Sequence, residues 1–146
     1  MDVFKSVVVL LVEDDPGDQK LLSKALANQE IPTELQIVGS GEEALEYLLR
    51  SKSRDERSPR PNLILLDLNM PGMNGKDFLR RVKADIDLRA IPVVVLTVSD
   101  AESDIQECYE LHAAGYIRKS ATPEEFQRVV KTLAKYWFAT SSLAGR

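Results

Sequence analysis

The stretch "NLILLDL" at residues 62–68 decides the fold, because an unbroken run of branched apolar residues is followed there by an acid. Two further runs have the same character, "SVVVLLV" at residues 6–12 and "IPVVVLTV" at residues 91–98. Continuous Val, Ile and Leu without polar alternation are typical of strands buried on both faces of a parallel sheet. Weaker strand candidates are "ELQIV" at residues 34–38 and "GYIRK" at residues 115–119.

Helical patterns with start signals separate these strands. Asp15 and Pro16 place an N-capping side chain before a proline at the first helical position. Capping boxes mark three more helix starts, at Ser40, Ser99 and Thr122. A further helix is predicted over about residues 75–84, and the polar segment 51–61 is predicted to be a solvated loop. The alternation of strands and helices predicts an α/β fold with a doubly wound parallel sheet of five strands and five helices.

Composition and charge narrow the class of protein. The chain has 146 residues, 44% of them hydrophobic and 29% charged, which suits one globular domain, and we expect a single domain over residues 1–146 with its core at about 6–140. The net charge of -4 argues against nucleic-acid binding. A lone cysteine, Cys108, excludes an internal disulfide and a cysteine-rich zinc site. The apolar run 7–12 is too short to cross a membrane and is followed by acids, so we expect a cytoplasmic protein.

Chemically active side chains follow the predicted strands, where open α/β sheets bind their ligands. The residues delivered to this edge are Glu13, Asp14, Asp67, Asn69, Thr97 and Lys119. Clustered carboxylates cannot all remain ionised without a cation, and Mg²⁺ prefers oxygen ligands of this kind. Asp67 is the best candidate for a nucleophile that forms an aspartyl phosphate, with Thr97 and Lys119 contacting the phosphoryl group.

Four motifs in this order resemble the receiver domain of two-component response regulators. They are "VEDDP" at residues 12–16, "LLDLNMPGMNG" at 65–75, "VVVLT" at 93–97 and "GYIRK" at 115–119. The resemblance covers about residues 6–138 and implies a flavodoxin-like sheet with strand order 2-1-3-4-5. It also implies that a sensor histidine kinase phosphorylates the chain on Asp67.

The family resemblance assigns roles to individual residues. Asp14, Asp67 and the backbone carbonyl of Asn69 are expected to bind Mg²⁺ directly, with Glu13 acting through water. Thr97 and Lys119 are expected to move onto the phosphoryl oxygens. Tyr116 is then expected to turn inward, so that one surface changes its preference for partners. This surface is made by the helix predicted after Ser99 (helix four), the strand at residues 115–119 (strand five) and the helix predicted after Thr122 (helix five).

Two positions depart from the usual family pattern. Ser120 follows Lys119 where receivers usually have a proline that is commonly preceded by a cis bond, and a cis bond before serine would cost roughly 3 kcal/mol. His112 stands at the end of helix four where many receivers carry glycine, and a left-handed helix end is less easy for histidine.

Shorter stretches narrow the resemblance to the small response regulators paired with bacterial and cyanobacterial phytochromes. These are "RPNLILLDLN", "YELH", "RKS" and the terminal "YWF". That resemblance implies a light-sensing, phytochrome-type kinase as partner and a homodimer.

Helix five carries more apolar side chains than one narrow face accommodates. We predict a partner or dimer surface made by Phe126, Val130, Leu133, Tyr136 and Trp137, because aromatic residues are enriched at interfaces. The alternative is a wide core stripe with an aromatic cap. Elsewhere, Asp15 and Asp18 are predicted as helix-start acids, and Cys108 as a small buried hydrophobe.

The leading functional prediction is a stand-alone phosphoacceptor without an output domain, which acts without binding nucleic acid or membrane and is not an enzyme with turnover. An alternative is an intermediate that passes the phosphoryl group along a phosphorelay. An aspartyl-phosphate phosphohydrolase is disfavoured, because Asn69 stands where such enzymes place a general acid. A flavin-binding electron carrier is disfavoured by the acidic "VEDDPGD" at residues 12–18.

Overall fold

The computed structural model describes residues 6–27, 32–119 and 122–140, with side chains up to residue 138. Its strands are β1 (Val7–Val12), β2 (Thr33–Val38), β3 (Leu63–Leu66), β4 (Val93–Thr97) and β5 (Gly115–Arg118). Its helices are α1 (Pro16–Ala27), α2 (Gly41–Lys52), α3 (Gly75–Ala84), α4 (Glu102–Glu110) and α5 (Pro123–Ala134), the last continued by a π-helical segment (Lys135–Thr140). None of the helices in these described ranges is long and apolar enough to cross a membrane.

The five strands form one parallel sheet in the order β2-β1-β3-β4-β5. The predicted fold and strand order are therefore confirmed. The order reverses between β1 and β3, whose register pairs Val12 with Leu66. The residues that follow these two strands consequently open onto the same crevice, which is where such sheets bind ligands.

Side chains on the two faces of the sheet build two separate core clusters. Leu10 and Val12 of β1 pack with residues of α2 and α3 on one face. Val9 and Leu11 pack with residues of α1 and α5 on the other. Because β3 and β4 are buried along their whole length, their unbroken apolar sequence matches the two-sided burial predicted for them.

Three of the four predicted helix starts are confirmed. Hydroxyl or carboxylate oxygens of Asp15, Ser40 and Thr122 accept hydrogen bonds from backbone N–H groups in the first turns of α1, α2 and α5. The capping box predicted at Ser99 is wrong, because α4 begins after Ala101, which has no polar side chain. The Ser99 hydroxyl instead donates to the Asp104 carboxylate at 2.6 Å.

The segment at residues 51–61 is less solvated than predicted. α2 continues to Lys52, and the side chains of Ser51 and Ser58 are buried. Arg50 donates through Nε to the Ser58 hydroxyl, and the Tyr47 hydroxyl donates to the carbonyl of Pro59 at 2.6 Å. These contacts attach the loop to α2, so only part of it is a free surface loop.

The end of α4 carries the backbone conformation expected at His112. Its φ angle is 69°, in the left-handed region that favours glycine. Cys108 on the same helix is fully buried, as predicted, and burial raises the pKa of its thiol to about 11. The other departure from the family pattern, Ser120, lies outside the described residues.

The apolar side chains of α5 divide between the core and the surface. Phe126 and Val130 are only 3% and 0% exposed and belong to the core cluster beneath the helix. The prediction that these two residues form a partner surface is therefore wrong, because the sheet already covers them. Leu133 and Trp137 are partly buried against the same cluster, whereas Tyr136 is 54% exposed.

Candidate functional site

Three carboxylates meet at the carboxyl ends of β1 and β3. One oxygen from each of Glu13, Asp14 and Asp67 lies within 4.8 Å of the others. The backbone fixes this arrangement, because the N–H of Glu13 donates to Val38 and the N–H of Asp67 donates to Val12. Glu13 and Asp67 are buried, whereas Asp14 is exposed.

Burial dominates the electrostatics of the two inner acids. Burial is the main cause that raises the pKa of Glu13 from 4.5 to about 7, a hydrogen bond from Lys119 opposes it, and the nearby charge of Asp67 adds to it. Burial also raises the pKa of Asp67, against the opposing charge of Lys119. The ionised pair is therefore unfavourable as it stands, and a cation at this position would relieve it.

Lys119 follows β5 and brings a positively charged side chain to the same edge of the sheet as the acids. Its Nζ atom lies 2.7 Å from an oxygen of Glu13 and 2.7 Å from an oxygen of Asp18, but 3.9 Å from Asp67. Burial by itself lowers the pKa of Lys119, but hydrogen bonds to Asp18 and Glu13 outweigh it, so the pKa is raised. The lysine is therefore charged and has two short acidic contacts.

Thr97 ends β4 with a hydroxyl that is fully buried beside the acids. Its Oγ1 atom accepts from the side-chain amide of Asn69 at 3.2 Å and from the backbone N–H of Ser99 at 3.3 Å. The backbone N–H of Asn69 in turn donates to Asp67 at 3.3 Å. Thr97 is thus linked to the phosphoacceptor candidate through one residue.

A tight loop behind Asp67 requires glycine at one position. A Cβ atom on Gly75 would lie 2.6 Å from the carbonyl oxygen of Asp67 and 2.7 Å from the Cα of Leu68, both backbone atoms. Gly75 therefore lets the start of α3 pack directly against the end of β3. Across the loop, the carboxylate of Glu42 accepts from the backbone N–H of Met73 at 3.1 Å, which ties α2 to the same loop.

Tyr116 connects this edge to α4. Its ring packs against the core, and its hydroxyl donates to the carbonyl of Ser99 at 2.9 Å. The Ser99 side chain donates to Asp104, whose carboxylate also pairs with Lys76 of α3 at 2.5 Å. Hydrogen bonds and ion pairs thus run from Thr97 through Ser99 to the first turn of α4.

Comparison with known protein families assigns the chain to one of them. The family described as response regulator receiver domain matches residues 9–131, and the chain belongs to it. It is therefore a receiver-domain signalling protein with an α/β flavodoxin-like fold.

Individual relatives narrow the comparison to the phytochrome response regulators. The chain is 41% identical over 136 residues to "Response regulator Rcp1" of Synechocystis sp., covering 93% of this chain and 92% of Rcp1. The structure of the phosphorylated cyanobacterial phytochrome response regulator RcpA superposes with a TM-score of 0.90 at 40% identity, covering 97% of this chain and 100% of that one. The Mn²⁺-bound form of Rcp1 superposes with a TM-score of 0.88 at 40% identity, covering 95% and 99% of the two chains.

The acidic cluster fits the divalent ion that these comparisons imply. The possible ligands are carboxylate oxygens, which hard divalent cations prefer, and burial raises the pKa of two of the three acids, Glu13 and Asp67. A divalent ion held by Glu13, Asp14 and Asp67 would supply positive charge beside the two buried acids.

The structure brings all the site residues predicted at the strand ends to one edge of the sheet. Two contributors were not predicted. Asp18 was interpreted only as a helix-start acid, yet it forms a short ion pair with Lys119. Glu42 lies within an ordinary capping sequence, and nothing local in the sequence distinguishes it as the anchor of the β3–α3 loop.

Proposed function

We propose that the protein accepts a phosphoryl group on Asp67 from a sensor histidine kinase in a Mg²⁺-dependent reaction. The observation that carries this proposal is the position of Asp67, whose carboxylate lies within 4.8 Å of carboxylate oxygens of Glu13 and Asp14 and 3.9 Å from the ammonium group of Lys119. A carboxylate in this setting can attack phosphorus while the surrounding groups stabilise charge.

The transfer is a substitution at phosphorus. A carboxylate oxygen of Asp67 forms the new P–O bond as the P–N bond to the kinase histidine breaks, and the histidine keeps the electron pair of that bond. Glu13, Asp14, Asp67 and the backbone carbonyl of Asn69 would hold Mg²⁺, which when bound neutralises charge on the phosphoryl oxygens. Lys119 and the Thr97 hydroxyl stabilise those oxygens from the other side.

The same contacts provide a route for the signal. A Thr97 hydroxyl that turns to a phosphoryl oxygen gives up its bonds with Asn69 and Ser99. Because Ser99 also accepts from Tyr116 and donates to Asp104, its displacement alters the start of α4 and the surface made with β5 and α5. Phosphorylation then biases a two-state surface.

Radiolabelled acetyl phosphate tests the phosphoacceptor assignment. We expect Mg²⁺-dependent labelling of the wild type and none of Asp67→Asn. Asp77→Asn is the matched control, since Asp77 is an exposed acid of α3 paired with Arg80. Labelling of Asp67→Asn at the wild-type level would refute the assignment.

The fate of the label separates the competing functions. A signalling receiver or a phosphorelay intermediate retains one phosphoryl group per chain, and only the intermediate passes it to a histidine phosphotransfer protein. A phosphohydrolase releases phosphate continuously. The Asn69 amide donates to Thr97 and has no acidic proton to give a leaving group, which favours retention over turnover.

The kinase partner is proposed from the relatives. RcpA is a phytochrome response regulator by its own description, and it aligns with almost all of this chain. We therefore expect faster phosphotransfer from an autophosphorylated phytochrome-type histidine kinase than from a kinase with an unrelated sensor. Equal rates from both would remove this part of the proposal.

A homodimer through α5 is proposed from the surface that remains exposed. Ile117, Val129, Leu133 and Tyr136 line an apolar groove between β5 and α5. We expect Val129→Asp to shift the chain towards monomer in sedimentation velocity. Ile86→Asp changes an exposed apolar residue outside this groove and is the matched control. If Val129→Asp sediments like the wild type, as the control Ile86→Asp is expected to do, the result would argue against this interface.

A further inference from the structure

Asp18 has a contact that its place in the helix does not require. It is the third residue of α1, and its backbone N–H is already capped by the Asp15 side chain at 2.8 Å. Its own carboxylate is turned to the ammonium group of Lys119 at 2.7 Å. Capping and lysine binding are therefore divided between two neighbouring acids.

The ion pair fixes the end of a long side chain. Lys119 follows β5, where its backbone N–H donates to the carbonyl of Thr97 at the end of β4, and its side chain reaches from there to α1. A lysine held only at its backbone samples many rotamers, which weakens any one contact. The two short contacts, with Asp18 and Glu13, restrict the ammonium group to one place.

That place leaves a donor facing the phosphoacceptor. An ammonium group has three N–H donors, and Glu13 and Asp18 use two of them. Within the described part of the chain, Asp67 is the next carboxylate, at 3.9 Å, which is too long for a hydrogen bond. A phosphoryl group on Asp67 extends beyond the carboxylate oxygen and brings its own oxygens into this gap.

Glu13 and Asp18 differ in what else they contact. Glu13 belongs to the acidic cluster with Asp14 and Asp67, so the lysine shares it with a bound cation. Among the residues that the structure describes, the cluster consists of Glu13, Asp14 and Asp67 and does not include Asp18. A cation bound to the acidic cluster would therefore compete with Lys119 for Glu13 but not for Asp18.

We propose that Asp18 is a positioning residue for phosphoryl transfer, which holds the ammonium group of Lys119 towards the group arriving on Asp67. This assignment rests on the proposed function, because it concerns the rate of that same reaction. Without the Asp18 charge, the ammonium group keeps Glu13 as its one short acidic partner among the contacts described above and is free to shift away from this position.

A double-mutant cycle tests this assignment. The initial rate of labelling by acetyl phosphate at saturating Mg²⁺ is measured for the wild type, Asp18→Asn, Lys119→Gln and the double variant. We expect Asp18→Asn to slow the wild type by roughly five- to tenfold, a loss kept modest because the Asp18 side chain is 34% exposed. In the Lys119→Gln background the same substitution should change the rate by less than about twofold.

Two more variants separate position from charge. Asp15→Asn removes an equal charge three residues away and retains an N-capping side chain, so its rate should stay within about twofold of the wild type. Asp18→Glu retains the charge and should restore most of the rate. Equal slowing by Asp15→Asn and Asp18→Asn, equal effects in both Lys119 backgrounds, or an unchanged Asp18→Asn rate would each overturn the assignment. A wild type that takes no label would overturn the proposed function as well, which distinguishes the two failures.

Discussion

Metal-free protein should lose stability as the pH rises towards neutrality, and Glu13 should account for much of the loss. A carboxyl group with a raised pKa in the folded state favours folding only while it is protonated. The contribution of Glu13 is therefore complete below about pH 4.5 and is lost as the pH rises to about 7. Most proteins with salt-bridged acids show the opposite slope in this range.

The pKa of Glu13 sets the size of the effect. A pKa of about 7 in place of 4.5 corresponds to about 3 kcal/mol at roughly 1.4 kcal/mol per tenfold change. Solvent screening reduces this little, because Glu13 is only 1% exposed. Glu13→Gln removes the titrating group while its amide oxygen still accepts from Lys119. The variant should therefore gain up to about 3 kcal/mol on the wild type between pH 4.5 and 7.

Urea unfolding followed by circular dichroism measures this difference at pH 5 to 8 in the presence of EDTA. Taking the difference between variant and wild type cancels the other titrating groups. Glu46→Gln, at an exposed position of α2, is the matched control and should follow the wild type at every pH. Addition of Mg²⁺ at pH 7 should stabilise the wild type by mass action. Parallel stability curves for the wild type and Glu13→Gln would refute the electrostatic account of the acid pair.

Three further predictions concern individual positions. Gly75→Ala should destabilise the fold by about 1–3 kcal/mol in urea titrations, because its Cβ atom would meet the backbone at Asp67, whereas Gly39→Ala has room and should cost less. His112→Gly should stabilise the fold by about 0.5–1 kcal/mol, because its φ of 69° suits glycine, and an unchanged melting temperature would contradict this. Asp14→Ala should weaken Mg²⁺ binding at least about tenfold in calorimetric titration without altering the fold, since Asp14 is an exposed member of the acidic cluster.

The fold was predictable because its strongest signals are local. The strands β1, β3 and β4 are buried on both faces, and their sequences are accordingly continuous runs of Val, Ile and Leu. The helix starts at Asp15, Ser40 and Thr122 depend on a side chain that bonds to a backbone N–H three residues later. Such contacts form within one turn of the chain, so a short window of sequence contains both partners.

The errors lie where a distant contact competes with a local one. Ser99 has the sequence of a helix cap, but its hydroxyl donates to Asp104 and α4 starts later. Phe126 and Val130 have the composition of an interface, yet the sheet beneath α5 covers them. A pattern of apolar residues along a helix indicates that this surface must be buried. It does not indicate whether the rest of the chain or a partner protein covers it.

Asp18 is the clearest case in which a distant contact could not be predicted from the local sequence. Its contact also helps to explain how an acid-rich loop can lie beside a phosphoryl acceptor. Asp15 and Asp18 look alike from the sequence, and both suit the start of a helix. They separate only when β5 brings Lys119, 101 residues further along the chain, to the carboxylate of Asp18. The acids that are crowded into one short segment of sequence thereby have different partners, which are the helix N-terminus for Asp15, the lysine for Asp18, and the proposed cation for Asp14. If Asp18 positions the lysine as proposed, an acid outside the cluster controls how the ammonium group of Lys119 approaches the phosphoryl group on Asp67.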